Sequence, residues 1–290
     1  MTVIAACQLA LAIGDVAGNA RASESAVQDA AARGAQFVIL PELSDTGYVF
    51  TGPAEARALA APAADNPTLR RWRSLAAELD IVIAGGFCEL GAGDRLYNSA
   101  ALVDRSGTRA LYRKAHLWDT EKLIFTPGDA APPVTDLGFG RVALIICYDL
   151  EFPEWVRLAA LCGADIIAAP VNWPAHGPPP TGEQPAEIIR TQANASVNVV
   201  FVAVADRCGA ERGTDWVGGS VIIGPDGYPL AGPADPGKPS VLTAACELPR
   251  ARDKSTSPRN DVLTDRRPVL YAGRRLGQRC DRGRRRPVRG

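Results

Sequence analysis

Short apolar runs without alternation recur along this chain, separated by stretches of helical spacing. Phe37 to Leu40, Ile81 to Ala84 and Val142 to Ile146 each read as a strand covered on both faces. Val3 to Cys7, Asp165 to Ala169 and Val199 to Ala205 extend the set. Ala22, Ala26 and Ala30 recur at spacing four, which predicts a helix over 19–33 with Asn19 as N-cap and Gly34 as stop. Leu69, Trp72, Ala76 and Leu79 predict a second helix. Trp155, Leu158, Ala159 and Cys162 mark one face of a third over 152–162, and a fourth covers 184–198. Ser44 to Asn66 reads as a loop, and Gly85-Gly86 as the stop of a strand. Doubly covered strands alternating with helices point to a layered α/β fold, and the alternation by itself also fits a doubly wound sheet. With 290 residues, one large domain can hold it.

The pattern also echoes itself. GAQFVILPE (34–42) resembles GADIIAAPVN (163–172), each after a helix. LVDRSGTRAL (102–111) resembles VIIGPDGYPL (221–230), each a strand, a tight turn and a strand. Two sheets covered outside by helices account for the echo. No G-x-G-x-x-G follows the first strand and no G-x-x-x-x-G-K-[ST] occurs, so neither phosphate-binding loop is encoded.

Charge narrows the classes of function. The chain has 32 basic and 32 acidic residues, but eight arginines and a single aspartate fall within 274–290. The body is therefore acidic, a poor electrostatic partner for nucleic acid. The Arg-rich stretch 272–290 lacks apolar periodicity and is expected to be a disordered appendage to a domain of residues 1–271. No apolar run is long enough to span a membrane. The seven cysteines are spread without a C-x-x-C pair, which fits free thiols in the cytoplasm. With only His116 and His176 available, no zinc signature and no other cofactor is indicated.

Three residues at strand ends can carry chemistry. Cys147 closes VALIIC and precedes YDLEFPEW, a strand–turn–helix corner that presents a side chain and its backbone N–H groups together. It reads as a nucleophile or as one more small core residue. Histidine is scarce, so a base for a thiol falls to a carboxylate, with His116 kept as a neighbour and His176 placed at the surface. Glu42 ends FVILPE, where apolar surroundings can raise its pKa; the alternative is a loop glutamate satisfied by backbone donors. Lys114 holds the equivalent position after Arg109 to Tyr112, either stabilising negative charge or solvated.

LPELSDTGYVF, YRKAHLWDTEKLIFTPGD and VALIICYDLEFPEW resemble, in order, the three signature regions of the nitrilase superfamily, the carbon–nitrogen hydrolases. The resemblance runs over about residues 3 to 271 and implies a four-layer αββα sandwich, assembled as a homodimer or larger homo-oligomer. It also implies roles. Glu42 takes the thiol proton of Cys147, and Lys114 with the backbone N–H of Tyr148 holds the oxyanion of an acyl-enzyme reaction. Glu121, seven residues after the lysine, orients Lys114 or the substrate.

The context CYDLEFPE resembles the amidase-like branch, such as 5-aminopentanamidase and aliphatic or stereoselective amidases. The expected substrate is a small aliphatic or ω-amino carboxamide. Tyr48, Trp118, Asn172 and Trp173 are candidate substrate contacts, each also readable as packing. Glu121, Glu151 or Asp206 could hold a substrate ammonium, with nothing in the sequence to choose between them. The alternatives are an amidohydrolase of N-carbamoyl amines such as N-carbamoylputrescine, and a catalytically silent binding protein on the same scaffold.

Overall fold

A computed structural model describes residues 1–271. It divides into a large unit, Met1–Lys254, and a smaller one that begins at Ser255. The Arg-rich stretch 272–290 lies outside the described residues.

The large unit contains two six-stranded mixed sheets. The first runs β14 (Ser240–Cys246), β1 (Thr2–Gln8), β2 (Phe37–Ile39), β3 (Val82–Leu90), β4 (Leu96–Asp104) and β5 (Gly107–Arg113). The second runs β13 (Pro229–Ala231), β12 (Val221–Ile223), β9 (Phe201–Ala205), β8 (Ile166–Pro170), β7 (Arg141–Leu144) and β6 (Val134–Asp136). Read from β14 and from β6, both sheets show the same order of pairings: antiparallel, parallel, parallel, antiparallel, antiparallel. The echoed segments fall on equivalent strands, β2 with β8 and the hairpin β4–β5 with β12–β13. Each hairpin also carries one register shift, at Leu102/Val103 and at Ile222/Ile223.

The sheets pack face to face through β1, β2 and β3 against β8 and β9. Helices α1 (Val16–Ala32) and α3 (Pro67–Leu79) cover the first sheet; α4 (Pro153–Leu161) and α5 (Ala186–Asn198) pack together over the second. This is the αββα sandwich. The lack of alternation in the strands follows from it. Ala5, Cys7, Val38 and Leu40 join Trp72, Leu75 and Val27 in a core beneath α1 and α3. Their neighbours Ile4, Ala6, Phe37 and Ile39 are equally buried on the other face.

Several local expectations are corrected. Asp15, not Asn19, caps α1, accepting from Gly18 N at 2.9 Å. Asn19 is buried and bonds Ala12 and the Asp45 carbonyl instead. A short helix, α2 (Pro53–Leu59), interrupts the expected 44–66 loop. The buried side of α4 centres on Val156, Ala159 and Ala160, while Cys162 is exposed. Leu79 is also exposed, because α3 ends there in a left-handed turn at Asp80. Gly85-Gly86 does not end β3, which continues to Leu90. The pair instead admits close neighbours: a Cβ on Gly85 would meet the Trp72 ring at 2.5 Å, and one on Gly86 the Glu42 Cα at 2.5 Å.

Two short hairpin strands, β10 (Ala210–Glu211) and β11 (Thr214–Asp215), complete the large unit. In the smaller unit, β15 (Ser255–Ser257) and β16 (Asn260–Asp261) pair antiparallel, and α6 spans Pro268–Tyr271. No described helix is long and apolar enough to cross a membrane, and the described residues contain no cluster of metal-ligating side chains.

Candidate active site

Glu42 lies three residues beyond β2. Its backbone is fixed from both sheets: Glu42 N points to Val171 O at 3.4 Å, and Asn172 Nδ2 donates to Glu42 O at 2.9 Å. Pro41 and Ser44 hydrogen-bond to Gly86, and Leu43 takes a left-handed φ of 45°. Such backbone is costly for a leucine and needs a surround that holds it.

Lys114 follows β5, where its N–H donates to Asn98 O at 2.8 Å across the β4–β5 ladder. Its ammonium is buried and reaches Glu42 Oε1 at 2.6 Å and Glu121 Oε1 at 2.9 Å. Asn98 Nδ2 bridges the same two oxygens at 2.6 and 2.9 Å. The two carboxylates are thus clamped from two sides. Glu121 Oε2 accepts from Trp118 N at 2.7 Å, whereas Glu42 Oε2 is buried with no partner. All three charged side chains are 2% exposed or less.

Cys147 enters from the second sheet. It follows β7 and opens a 3₁₀ turn, Cys147–Glu151, with φ at 45°. The corner turns its thiol toward Asn172 O, 3.7 Å from Sγ. Asp149 braces this corner. Its buried carboxylate accepts from Ile146 N at 3.1 Å, from Tyr112 Oη at 2.7 Å and from His116 N at 3.0 Å. His116 Nδ1 also lies 2.7 Å from Asp149, and its ring stacks on Phe152. His116 therefore ties the Lys114 segment to the Cys147 turn.

Burial and mutual charge set the protonation states. Burial, with the charge of Glu121, pushes Glu42 up to about 7 despite the opposing Lys114 ammonium. Burial works against the charge on Lys114, but Glu121 and Glu42 outweigh it and hold the ammonium well above its ordinary range. Burial and the charge of Glu42 push the Cys147 thiol well up. At neutral pH the Cys147 thiol feels the charges of a carboxylate poised to titrate and of the Lys114 ammonium paired with it.

A narrow pocket of about 20 Å³ at Cys147 is lined by Trp118, Tyr148, Trp173 and Pro174. Trp118 meets Tyr148 edge to face with ring centres 4.9 Å apart. Tyr48 is half-buried, and its phenol is pushed up by burial and by Glu121, Glu42 and Cys147. Glu211 positions it, accepting from Tyr48 N and Val49 N at 2.9 and 2.7 Å. Glu211 is itself paired at 2.9 Å with the buried Arg207, which lies over the Trp216 ring. Asn172 uses its amide nitrogen on the Glu42 carbonyl. Asp206 is buried, accepting from the backbone of Trp173, Arg207 and Gly219.

Sequence reasoning missed Asn98 and Asp149. An asparagine in the apolar strand LYNSAALV was the available signal for the first. Asp149 is one carboxylate among several in YDLEFPE, and nothing local distinguishes it.

Residues 3–255 match the carbon–nitrogen hydrolase family. The chain is 37% identical to a nitrilase of Pyrococcus abyssi over 87% of its length and 92% of that protein. It is 34% identical to the N-carbamoylputrescine amidase of Arabidopsis thaliana, covering 89% of this chain and 90% of the relative. An amidase variant from Nesterenkonia sp. AN1, solved with acrylamide added at its active site cysteine, superposes with a TM-score of 0.79. That pair is 29% identical, covering 93% of this chain and 98% of the other. The chain belongs to the carbon–nitrogen hydrolase family, the nitrilase superfamily, and is a cysteine hydrolase of carbon–nitrogen bonds.

Proposed function

We propose that this hydrolase converts a small aliphatic or ω-amino carboxamide to the carboxylic acid and ammonia through a thioester on Cys147. The observation that carries the proposal is the buried cluster in which Glu42 and Glu121 share Lys114 and Asn98 beside the thiol.

Glu42 Oε2, the unpartnered oxygen, takes the thiol proton as sulfur attacks the amide carbonyl. The oxyanion forms against Lys114 and the N–H of Tyr148, which lies in the first turn of the 3₁₀ segment and lacks an intrahelical acceptor. Glu42 then returns its proton to the departing nitrogen, releasing ammonia and leaving the thioester. In the second half Glu42 deprotonates water, which attacks the thioester carbonyl; the acid leaves and the thiol is restored. Glu121 keeps Lys114 charged and aimed throughout.

A panel of simple amides, ω-amino amides, N-carbamoyl amines and nitriles, scored as kcat/KM, tests this. The expected result is amide turnover by the unaltered enzyme with ammonia as the sole gas released, and no turnover in Cys147→Ala. Release of carbon dioxide with ammonia from N-carbamoyl amines, without amide turnover, would instead favour a carbamoylase, the activity named for the Arabidopsis relative. We further read the enzyme as a cytoplasmic homodimer or larger assembly, which light scattering tests.

A further inference from the structure

Two carboxylates that this reaction does not use stand beside the nucleophile. Glu151 closes the 3₁₀ turn that Cys147 opens, and Glu187 lies in the first turn of α5. Both line the pocket that contains Cys147, and both also line the wider groove into which it opens. Arg190, one turn further along α5, donates Nη2 to Oε1 of Glu151 at 2.8 Å and to Oε1 of Glu187 at 3.0 Å. This holds the carboxylates side by side and leaves the second oxygen of each outside the pairing. Glu183, exposed in the same groove, adds a further negative charge.

The other carboxylates near the pocket are committed elsewhere. Glu121 serves Lys114, Asn98 and Trp118 N, and Asp206 is enclosed by three backbone donors. One feature opposes a cation: Arg190 Nε is buried without an acceptor and would suit a carboxylate. Two carboxylates against one guanidinium decide the sign. Glu151 and Glu187 are 31% and 16% exposed, so their charge is only partly screened.

Resting on the amide hydrolysis proposed above, we propose that Glu151 and Glu187, clamped by Arg190, bind the ammonium end of an ω-amino amide and reject amides that end in a carboxylate. An ammonium has three donors and can bridge the two free oxygens. Glu151 and Glu187 line the same pocket as Cys147, so one short substrate can meet the nucleophile with its amide and the carboxylates with its ammonium.

The test compares kcat/KM for 5-aminopentanamide, hexanamide and 4-carbamoylbutanoate, which carry a cationic, an apolar and an anionic end at similar length. The cation is expected to lead hexanamide by about tenfold or more, and the anion to trail it. The cation-to-hexanamide ratio should fall about tenfold in E151Q and E187Q. In the unaltered enzyme it should fall as salt is raised, a readout independent of how the variants fold. Equal use of the cation and hexanamide, or preference for the anion, overturns the assignment while leaving amide hydrolysis standing. Turnover of none of the three, with N-carbamoyl amines or nitriles active, overturns the amide reading itself.

Discussion

Gly86 lies against the backbone of Glu42: a Cβ on Gly86 would sit 2.5 Å from Glu42 Cα and 2.6 Å from Leu43 N. The atoms it would meet are main chain, so no side chain can swing away. Gly86→Ala must therefore displace Glu42, the proposed general base. We expect kcat to fall by about 10²-fold, the cost of a misplacement of roughly 1 Å. Gly85→Ala is the control, since its Cβ would strike the Trp72 ring instead. Both variants should lose about 1–3 kcal/mol in urea denaturation, but only Gly86→Ala should lose turnover out of proportion.

The raised pKa of Glu42 predicts the acid limb of the rate. As the proposed base, Glu42 must be ionised to accept the thiol proton, and burial raises its pKa to about 7. Below that value kcat/KM should fall about tenfold per pH unit, and above it the profile should flatten. A limb near pH 4.5 would mean that Glu42 is not the titrating base.

Two substitutions should move this limb in opposite directions. Asn98 donates to the ionised form of Glu42, so Asn98→Ala should raise the limb by about one to two units, from about 1.5–3 kcal/mol for a hydrogen bond to a charged group. Glu121 adds a like charge that raises Glu42, so Glu121→Gln should lower the limb while also reducing kcat by loosening Lys114. Shifts in the same direction would refute the electrostatic assignment.

Arg207 is buried with Glu211 and the Leu11 carbonyl as its partners. Arg207→Met leaves the Glu211 carboxylate buried without its counter-charge. About 3–5 kcal/mol of stability should be lost, measured by the shift of the urea midpoint. The loss should be smaller in the double variant Arg207→Met with Glu211→Gln, which removes the orphaned charge.

Glu42, Lys114 and Cys147 stood out as candidates because each follows a strand, and a strand end is where a layered fold exposes side chains at a cleft. The buried strands were legible for a related reason, since covering both faces removes alternation. What stayed hidden depends on contacts across the fold. Asn98 meets Lys114 only through β4–β5 pairing, and Asp149 meets His116 and Tyr112 only once the sheets are stacked. Gly85-Gly86 read as punctuation because its purpose, the approach of Trp72 and Glu42, is invisible along the chain. The cap of α1 was misplaced because Asp15 and Asn19 are both good caps, and tertiary bonds to Ala12 and Asp45 decide between them.

Glu42 and Lys114 follow strands of one sheet, whereas Cys147 and Asn172 follow strands of the other. The proposed base and nucleophile thus share no strand ladder, and the stacking of the two layers sets their separation. A slide of one layer over its mate would part them before any strand gave up a hydrogen bond. Turnover works here as a strain gauge for that seam, and it should register loosening that leaves helix and strand content untouched.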